Sequence, residues 1–357
     1  WEVGLMNTHI PEAYGGPGLD YLSGCIIEEE IGWGCSGIGT SLMANGLAAA
    51  PVGLGGSEET KKKDLGGMID EFKLASFCLT EPDAGSDVSG MKTRAVKQGD
   101  KYVLNGSKIF ITHAGVGEIF VATARTEAGK GSKGITSFIV AKASVDLAAC
   151  KSAGVGHEPD LPKMKGVRAG KKEDKMGWRA SDTRELIFED AIVPKENVLG
   201  TPGHGFINFL KTLDAGRIGI AALSLGIAEG AYDEALKYAG VRRQFGKAIG
   251  SFQGIHFQLA DMALEIEAGK HLLYHAAWLK QNGKPFKKEA AMAKLFCSEL
   301  AMRTTTKAVQ IFGGYGYTTE YPVERMMRDA KVCEIGEGTS EIQRIVIARH
   351  ILGDIVN

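Results

Sequence analysis

The stretch EIGEGTSEIQR, Glu334 to Arg344, sets one carboxylate, Glu337, between two glycines just ahead of a helical pattern. Ser340 to Gln343 fits a capping box, so a helix is expected from about Glu341. Glu337 then lies in the loop before that helix, where an acid suits the positive end of the helix dipole. A solvated acid needs no bare neighbours, however. Glycine on both sides lets a bulky substrate lie against the backbone and reach the carboxylate. The residue reads either as a helix-terminal charge or as a general base.

Other clusters carry side chains suited to ligand work. LTEPDAGSD (79–87) follows a strand-like run and offers the Thr80 and Ser86 hydroxyls and backbone N–H groups to a polar planar ring or a phosphate. An ordinary turn has the same composition. SKIFITHAG (107–115) carries Phe110 and ends a strand at Thr112, either a site hydroxyl or a strand-end one. LDAGRIG sets Asp214 and Arg217 three apart on one face of a nearly all-apolar helix. An unpaired buried charge is costly, so the two pair with each other or face a polar ligand.

Arg242 and Arg243 end a long helix beside a glycine break. Cations suit a helix C-terminus, and Arg also grips a diphosphate bidentately. Gly313 and Gly314, in QIFGGYGYTTEYP, are C-cap glycines or a backbone bared for a flat ring. EAGKGSKG lacks P-loop spacing, and no GxGxxG follows a strand and opens a helix, which removes both nucleotide-binding motifs.

These residues need a frame. At 357 residues, two or three domains are expected. The chain is 44% hydrophobic and 24% charged with formal net charge -1, so bulk electrostatics make no case for nucleic acid or an anionic membrane. No apolar run reaches the roughly 18 residues of a membrane span. Six scattered cysteines (Cys25, Cys35, Cys78, Cys150, Cys297, Cys333) form no CxxC, and no cluster has zinc-ligand spacing. They read as reduced thiols, with no metal site. The opening WEVGLMNTHIP is no initiator context, so a presequence or a stretch of domain is expected to precede it.

Three regimes follow along the chain. Residues 1–72 read as helical, with a small-residue, apolar run (YLSGCIIEEEIGWGCSGIGTSLMANGLAAAPVG) fit to pack on several sides. Residues 73–193 read as an antiparallel, barrel-like β domain. Its strands are KLASFCLT, RAVKQGDKYVLNGSKIFIT, EIFVATART, ITSFIVAK and TRELIFEDAIV, with QGD and NG as hairpin turns. Within it, residues 144–170 show no period and read as a long surface excursion. Residues 194–357 read as a bundle of long antiparallel helices. The fold class expected is α+β.

In this order, GLMNTHIPEAYGGPGL, LTEPDAGSDVSGMKT, NGSKIFIT, GKKEDKMGWRASDTRELIFEDAIVPKENVLG, TLDAGRIGIAA, RRQFGK, AVQIFGGYGYTTEYPVERMMRDAK and GEGTSEIQR resemble the acyl-CoA dehydrogenase family, most of all its medium-chain members, over nearly the whole chain. The resemblance implies an incomplete N-terminal α domain, a middle β domain and a C-terminal four-helix bundle. It also implies FAD as cofactor and an acyl-CoA as substrate. Glu337 would remove the pro-R α-proton, flavin N5 would accept the β-hydrogen as hydride, and trans-2-enoyl-CoA would leave. Electron-transferring flavoprotein would reoxidise the cofactor.

By the same resemblance, Phe77, Leu79, Thr80, Gly85, Ser86, Phe110, Ile111 and Thr112 match the isoalloxazine-lining segments. Arg242, Gln253, Gln310, Gly313 and Gly314 match diphosphate and adenine contacts, and Thr339 and Glu341 touch FAD after the base. Ser86, Ser132, Asp214, Arg217 and Gly338 match the acyl-CoA side. Several contacts come from a neighbouring subunit in the family, which implies a homotetramer built as a dimer of dimers. The compartment implied is the bacterial cytoplasm or the mitochondrial matrix.

A thioester α-proton is far too weak an acid for a free carboxylate of pKa about 4.3. The site must raise the pKa of Glu337 by desolvation, while hydrogen bonds to the thioester carbonyl acidify the substrate. Three departures from the family matter. Gly336 stands where medium-chain members carry Tyr, the 144–170 excursion is longer than the family leads one to expect, and the family's first helices are absent before Trp1. The expected acyl group is short to medium. The space at Gly336 also admits a branched, cyclic or aryl-substituted one, and GWGCSGIGTSLMANG supplies no cation for a charged tail. From a different class, a flavin- or CoA-binding scaffold without turnover has the same motifs except a need for Glu337.

Overall fold

The computed structural model describes residues 2–141 and 165–356. The chain folds into two compact units. One comprises Trp1–Leu19, Ser41–Asp174 and Ser181–Leu213; the other comprises Asp20–Thr40, Lys175–Ala180 and Asp214–Asn357. Helix α1 (Tyr21–Gly55) contributes to both, and its backbone leaves helical geometry at Cys35 (φ −161°, ψ 103°).

The first unit is built on an eight-stranded sheet among the described residues. Its strands are β1 (Ala75–Cys78), β2 (Arg94–Gln98), β3 (Lys101–Thr112), β4 (Ile119–Arg125), β5 (Ile135–Ala141), β6 (Val167–Lys172), β7 (Thr183–Pro194) and β8 (Val198–Leu199). The order is β6-β7-β3-β2-β4-β5-β8, with β1 on β4. Most pairs are antiparallel, as expected, but β4 pairs parallel with β1 and with the start of β2. Alternating burial along β3 and β7 matches a sheet with one covered face.

Two sequence expectations are corrected here. QGD makes the β2–β3 hairpin, with Gly99 at φ 60°, but NG makes no turn. Asn105 and Gly106 lie inside β3 at a register shift. Gly106 is needed there because its φ is 142° and a Cβ would lie 2.6 Å from Thr93 Oγ1. Asn105 spends its side chain across the sheet, donating to Asp190 Oδ1 and accepting from Asp190 N. The end of the 144–170 excursion is likewise no loop, since β6 pairs with β7 and buries Val167. Most of that excursion lies outside the described residues, as does Cys150.

One buried ion pair ties this sheet to the loop after β1. Lys108 Nζ lies 2.7 Å from Glu81 Oε1 and donates to the Leu79 carbonyl at 3.2 Å, with both side chains buried. Glu81 also accepts from the Lys92 and Thr93 backbone N–H groups, so the pair is fully engaged.

The second unit is helical: α2 (Gly205–Val241), of which the part from Asp214 belongs here, α3 (Gln253–Gln281), α4 (Lys287–Phe312), α5 (Val323–Cys333) and α6 (Ser340–Leu352). A short hairpin, Arg243–Gln244 against Lys247–Ala248, interrupts the helical region. Its core draws on four helices, including Cys25 of α1, Ala221 and Leu225 of α2, Leu273 of α3 and Cys297 of α4. The small residues of α1 explain themselves here. A Cβ on Gly32 would lie 2.6 Å from the Leu223 carbonyl, and one on Gly226 would lie 1.9 Å from that of Glu29, so the two helices touch backbone to backbone. No helix among the described residues is long and apolar enough to cross a membrane.

Removing one partner of a buried pair leaves the other charge uncompensated. Lys108→Met is expected to lower unfolding free energy by about 3 kcal/mol or more in urea titration. A loss under about 1 kcal/mol would show that Glu81 is held by its backbone donors alone.

Candidate functional site

Helix α6 starts differently from its capping pattern. Thr339, not Ser340, is the N-cap, with extended backbone (φ −59°, ψ 164°) and its Oγ1 accepting from Ile342 N at 3.3 Å. Ser340 is therefore already helical and buried. Gln343 does not complete a capping box. Its Nε2 turns to the carbonyls of Gly338, at 2.8 Å, and Glu337, at 3.4 Å.

Glu337 itself sits in the left-handed region at φ 52°, followed by Gly338 at φ 93°. Such a corner costs a non-glycine residue on the order of 1 kcal/mol and persists only where its surroundings over-determine it. They do so here. Gly336 N donates to the Val332 carbonyl, Ser340 N donates to that of Glu334, and the Gly338 carbonyl accepts from both Gln343 and Lys294.

The flanking glycines have different reasons. Gly338 is required by its φ and because a Cβ would meet Gln343 Nε2 at 2.8 Å. Gly336 is not: its backbone is not left-handed, and a Cβ would meet only the Val332 carbonyl, at 3.5 Å. The fold leaves that side of the carboxylate bare without needing to.

Glu337 Oε2 is closed off from solvent and makes no hydrogen bond among the described residues. Burial pushes its pKa up to about 7, against the pull of Lys294 and Arg217. Two groups that the sequence did not single out share this environment. Glu28 on α1 is pushed up to about 8, first by burial and then by Glu337. Lys294 on α4 is brought down to about 8 by burial. Each left a local trace in the sequence: Glu28 heads three acids in an apolar run, and Lys294 is a lone cation in EAAMAKLFC. Asp214 and Arg217, both buried, do pair (2.7 Å), and Lys287 adds a second cation to Asp214 at 2.8 Å. Arg217 Nε stays buried without a partner.

A groove of about 540 Å³ in the same unit gathers Arg242, Gly313 and Gly314 with Tyr238, Phe312 and Tyr315. The Arg242 guanidinium lies 5.3 Å over the Tyr315 ring, and Tyr238 stacks on Phe312 at 4.0 Å. Gly313 is the C-cap of α4 at φ 63°, the plainer of its two expected roles. Gly314 has no atom of this chain within 4 Å of where a Cβ would stand. Gln253 and Gln310 are exposed and are not among the lining residues, and Glu341 is exposed in the first turn of α6.

In the sheet unit, Ile109 N donates to the Thr80 carbonyl at 2.8 Å, joining the segments 77–86 and 110–112. Leu79 and Ile111 are buried in apolar cores and have only backbone to offer a ligand. Phe77 stacks on Phe209 at 4.3 Å, Thr80 and Thr112 are half-buried, and Gly85, Ser86 and Phe110 are exposed. Phe110 adopts φ 58° at the β3 bulge between Lys108 and Ile111, which turns its ring outward. Ser132 lies in the Gly131–Gly134 turn, which Arg125 links to the loop after Ser86 by donating to the Gly131 and Ser89 carbonyls. Arg125 carried no motif and was not foreseen.

Three family models match the chain: the acyl-CoA dehydrogenase N-terminal domain over residues 1–71, the middle domain over 76–191 and the C-terminal domain over 203–352. A short-chain-specific acyl-CoA dehydrogenase of Clostridium acetobutylicum is 48% identical over 98% of this chain and 87% of its own. Butyryl-CoA dehydrogenase of Megasphaera elsdenii superposes with TM-score 0.90 at 46% identity, covering 98% of this chain and 88% of that one. A chain in a structure described as the electron transferring flavoprotein of Acidaminococcus fermentans, in work on flavin-based electron bifurcation, gives TM-score 0.91 at 49% identity, with 99% and 88% covered. The Clostridium and Megasphaera relatives are named for short-chain substrates, whereas the motifs had pointed toward medium-chain members.

Burial of Glu337 makes a stability prediction. Its folded pKa, about 7, exceeds its ordinary value of 4.5, so the folded state binds the proton more tightly. Its contribution to stability is therefore present below the ordinary value and is lost as pH rises through the folded one. Glu337→Gln is expected to be more stable than the parent by roughly 1–3 kcal/mol at about pH 8 and to lose that advantage near about pH 4.5, in urea titrations. Equal differences at both pH values would mean that the carboxylate is solvated.

Proposed function

The chain belongs to the acyl-CoA dehydrogenase family, and from that premise we propose that it oxidises the α,β bond of a short-chain acyl-CoA with bound FAD and passes the electrons to an electron-transferring flavoprotein. The names of its relatives support the chain length and the partner. We also propose the homotetramer, the bacterial cytoplasm and the division at 1–72, 73–193 and 194–357. Bacterial relatives and the bounds of the family models support the last two.

The observation that carries the reaction is the Glu337 carboxyl: its Oε2 is closed off from solvent without a hydrogen-bond partner, and its pKa is raised to about 7. It is a far stronger base than a solvated glutamate, yet still ionised in good part at neutral pH. In the proposed step it takes the substrate's α-proton, and the electron pair left behind moves toward the thioester carbonyl. The β-hydrogen departs with its own electron pair. When bound, FAD supplies the acceptor for that hydride equivalent.

The residues fit such a cofactor. Arg242 offers a bidentate grip for a diphosphate, and the bare backbone at Gly314 admits a flat ring. Around Thr80 and Phe110, a half-buried hydroxyl and an exposed aromatic ring offer polar and stacking contacts for a planar ring. Glu337→Gln is expected to keep its yellow colour but to slow anaerobic bleaching by a short-chain acyl-CoA roughly 10²- to 10⁴-fold; near-parental bleaching would remove the base from this residue. Gly314→Ala is expected to purify with little flavin at parental thermal stability, since beyond the chain neighbours no atom lies within 4 Å of the added Cβ. Full flavin content in that variant would move the cofactor elsewhere.

A further inference from the structure

Lys294 is fully buried in an apolar stretch of α4, where an ammonium is costly unless something answers it. Its hydrogen bond among the described residues runs to the Gly338 carbonyl, at 2.8 Å. The charged and titratable groups facing it are Glu337, Arg217 of α2, Cys333 of α5 and Glu334 just after α5. Glu334 is taken by Lys331, Arg217 by Asp214, and burial keeps the Cys333 thiol neutral by pushing it up to about 11. Glu28 of α1 faces Glu337 in turn. Among the acids around Lys294, Glu337 is thus the carboxylate without a cation of its own.

We propose that Lys294 is a positioning residue for the base: its ammonium anchors the Gly338 carbonyl, which fixes the left-handed Glu337–Gly338 corner, and its charge favours the ionised carboxylate. Gln343 holds the same carbonyl at the same 2.8 Å with a neutral amide, so the molecule contains its own control for anchoring without charge. The inference rests on the reading of Glu337 as the base.

The test uses the FAD-loaded enzyme and a short acyl-CoA whose β-carbon is replaced by sulfur. That compound can lose an α-proton but has no β-hydride to give. Exchange of its α-hydrogens with D₂O, followed by NMR across pD, reports proton removal apart from turnover. Lys294→Met is expected to slow exchange about tenfold near neutrality and to move the acid limb, where the rate rises with pH, up by about one unit, because a charge that favours ionisation is gone. Lys294→Arg is expected to hold the limb in place, and Gln343→Leu to slow exchange with the limb unmoved. Should Lys294→Met not fold, Lys294→Gln keeps a donor and loses the charge, and its limb must move up.

A limb in the neutral variants that coincides with the parent's overturns the proposal. Glu337→Gln separates the two readings. Exchange that survives in it removes the base itself, whereas exchange lost there but unchanged in Lys294→Met removes only the role of the lysine.

Discussion

The chemistry of this molecule depends on keeping one carboxylate out of water without neutralising it. Full solvation would leave Glu337 a weak base near its ordinary pKa, and burial with no cation nearby would leave it permanently protonated. The structure sits between these limits. Burial raises the group, while Lys294 and Arg217 restrain the rise to about 7. The left-handed corner that presents the carboxylate is held by hydrogen bonds from α4, from α6 and from its own flanking turns. Those bonds offset a backbone conformation that a glutamate would otherwise leave.

The same economy appears in the sheet unit. A second buried lysine, Lys108, likewise donates to a backbone carbonyl and in addition pairs with an acid, and thereby clamps the loop after β1 to β3. Two residues beyond Lys108 on the same strand, Phe110 adopts positive φ at the register shift of β3. In both units a buried cation fixes an irregular backbone segment that local propensity would not choose. Irregularity that is expensive to maintain is a mark of segments kept for what they touch.

Much of this was legible from residue order. The carboxylate between glycines, the paired Asp214 and Arg217, the Arg242 helix end and the glycines after α4 all announce themselves through local pattern, and the alternation of β3 and β7 with the apolar runs of β4 and β5 marks the sheet. What local pattern could not supply were the partners. Asn-Gly at 105–106 is a strong hairpin signal, but Thr93 and Asp190, both distant in sequence, make it a bulge. Ser340 has a capping pattern, yet the residue before it has the extended backbone that a cap needs. Lys294 reaches Gly338 across 44 positions, so its role had no local trace beyond a lone charge in an apolar run. Strand β6 is short, polar and paired only through β7, which left it looking like loop.

The most direct measurement is carbon-13 NMR of the flavin-loaded enzyme with its glutamate carboxyls labelled, titrated across pH beside Glu337→Gln. A resonance that titrates near 7 in the parent and vanishes in the variant is the result this account predicts. If the resonance lost in the variant titrates near 4.5 instead, the carboxylate is solvated and the mechanism built on it is wrong.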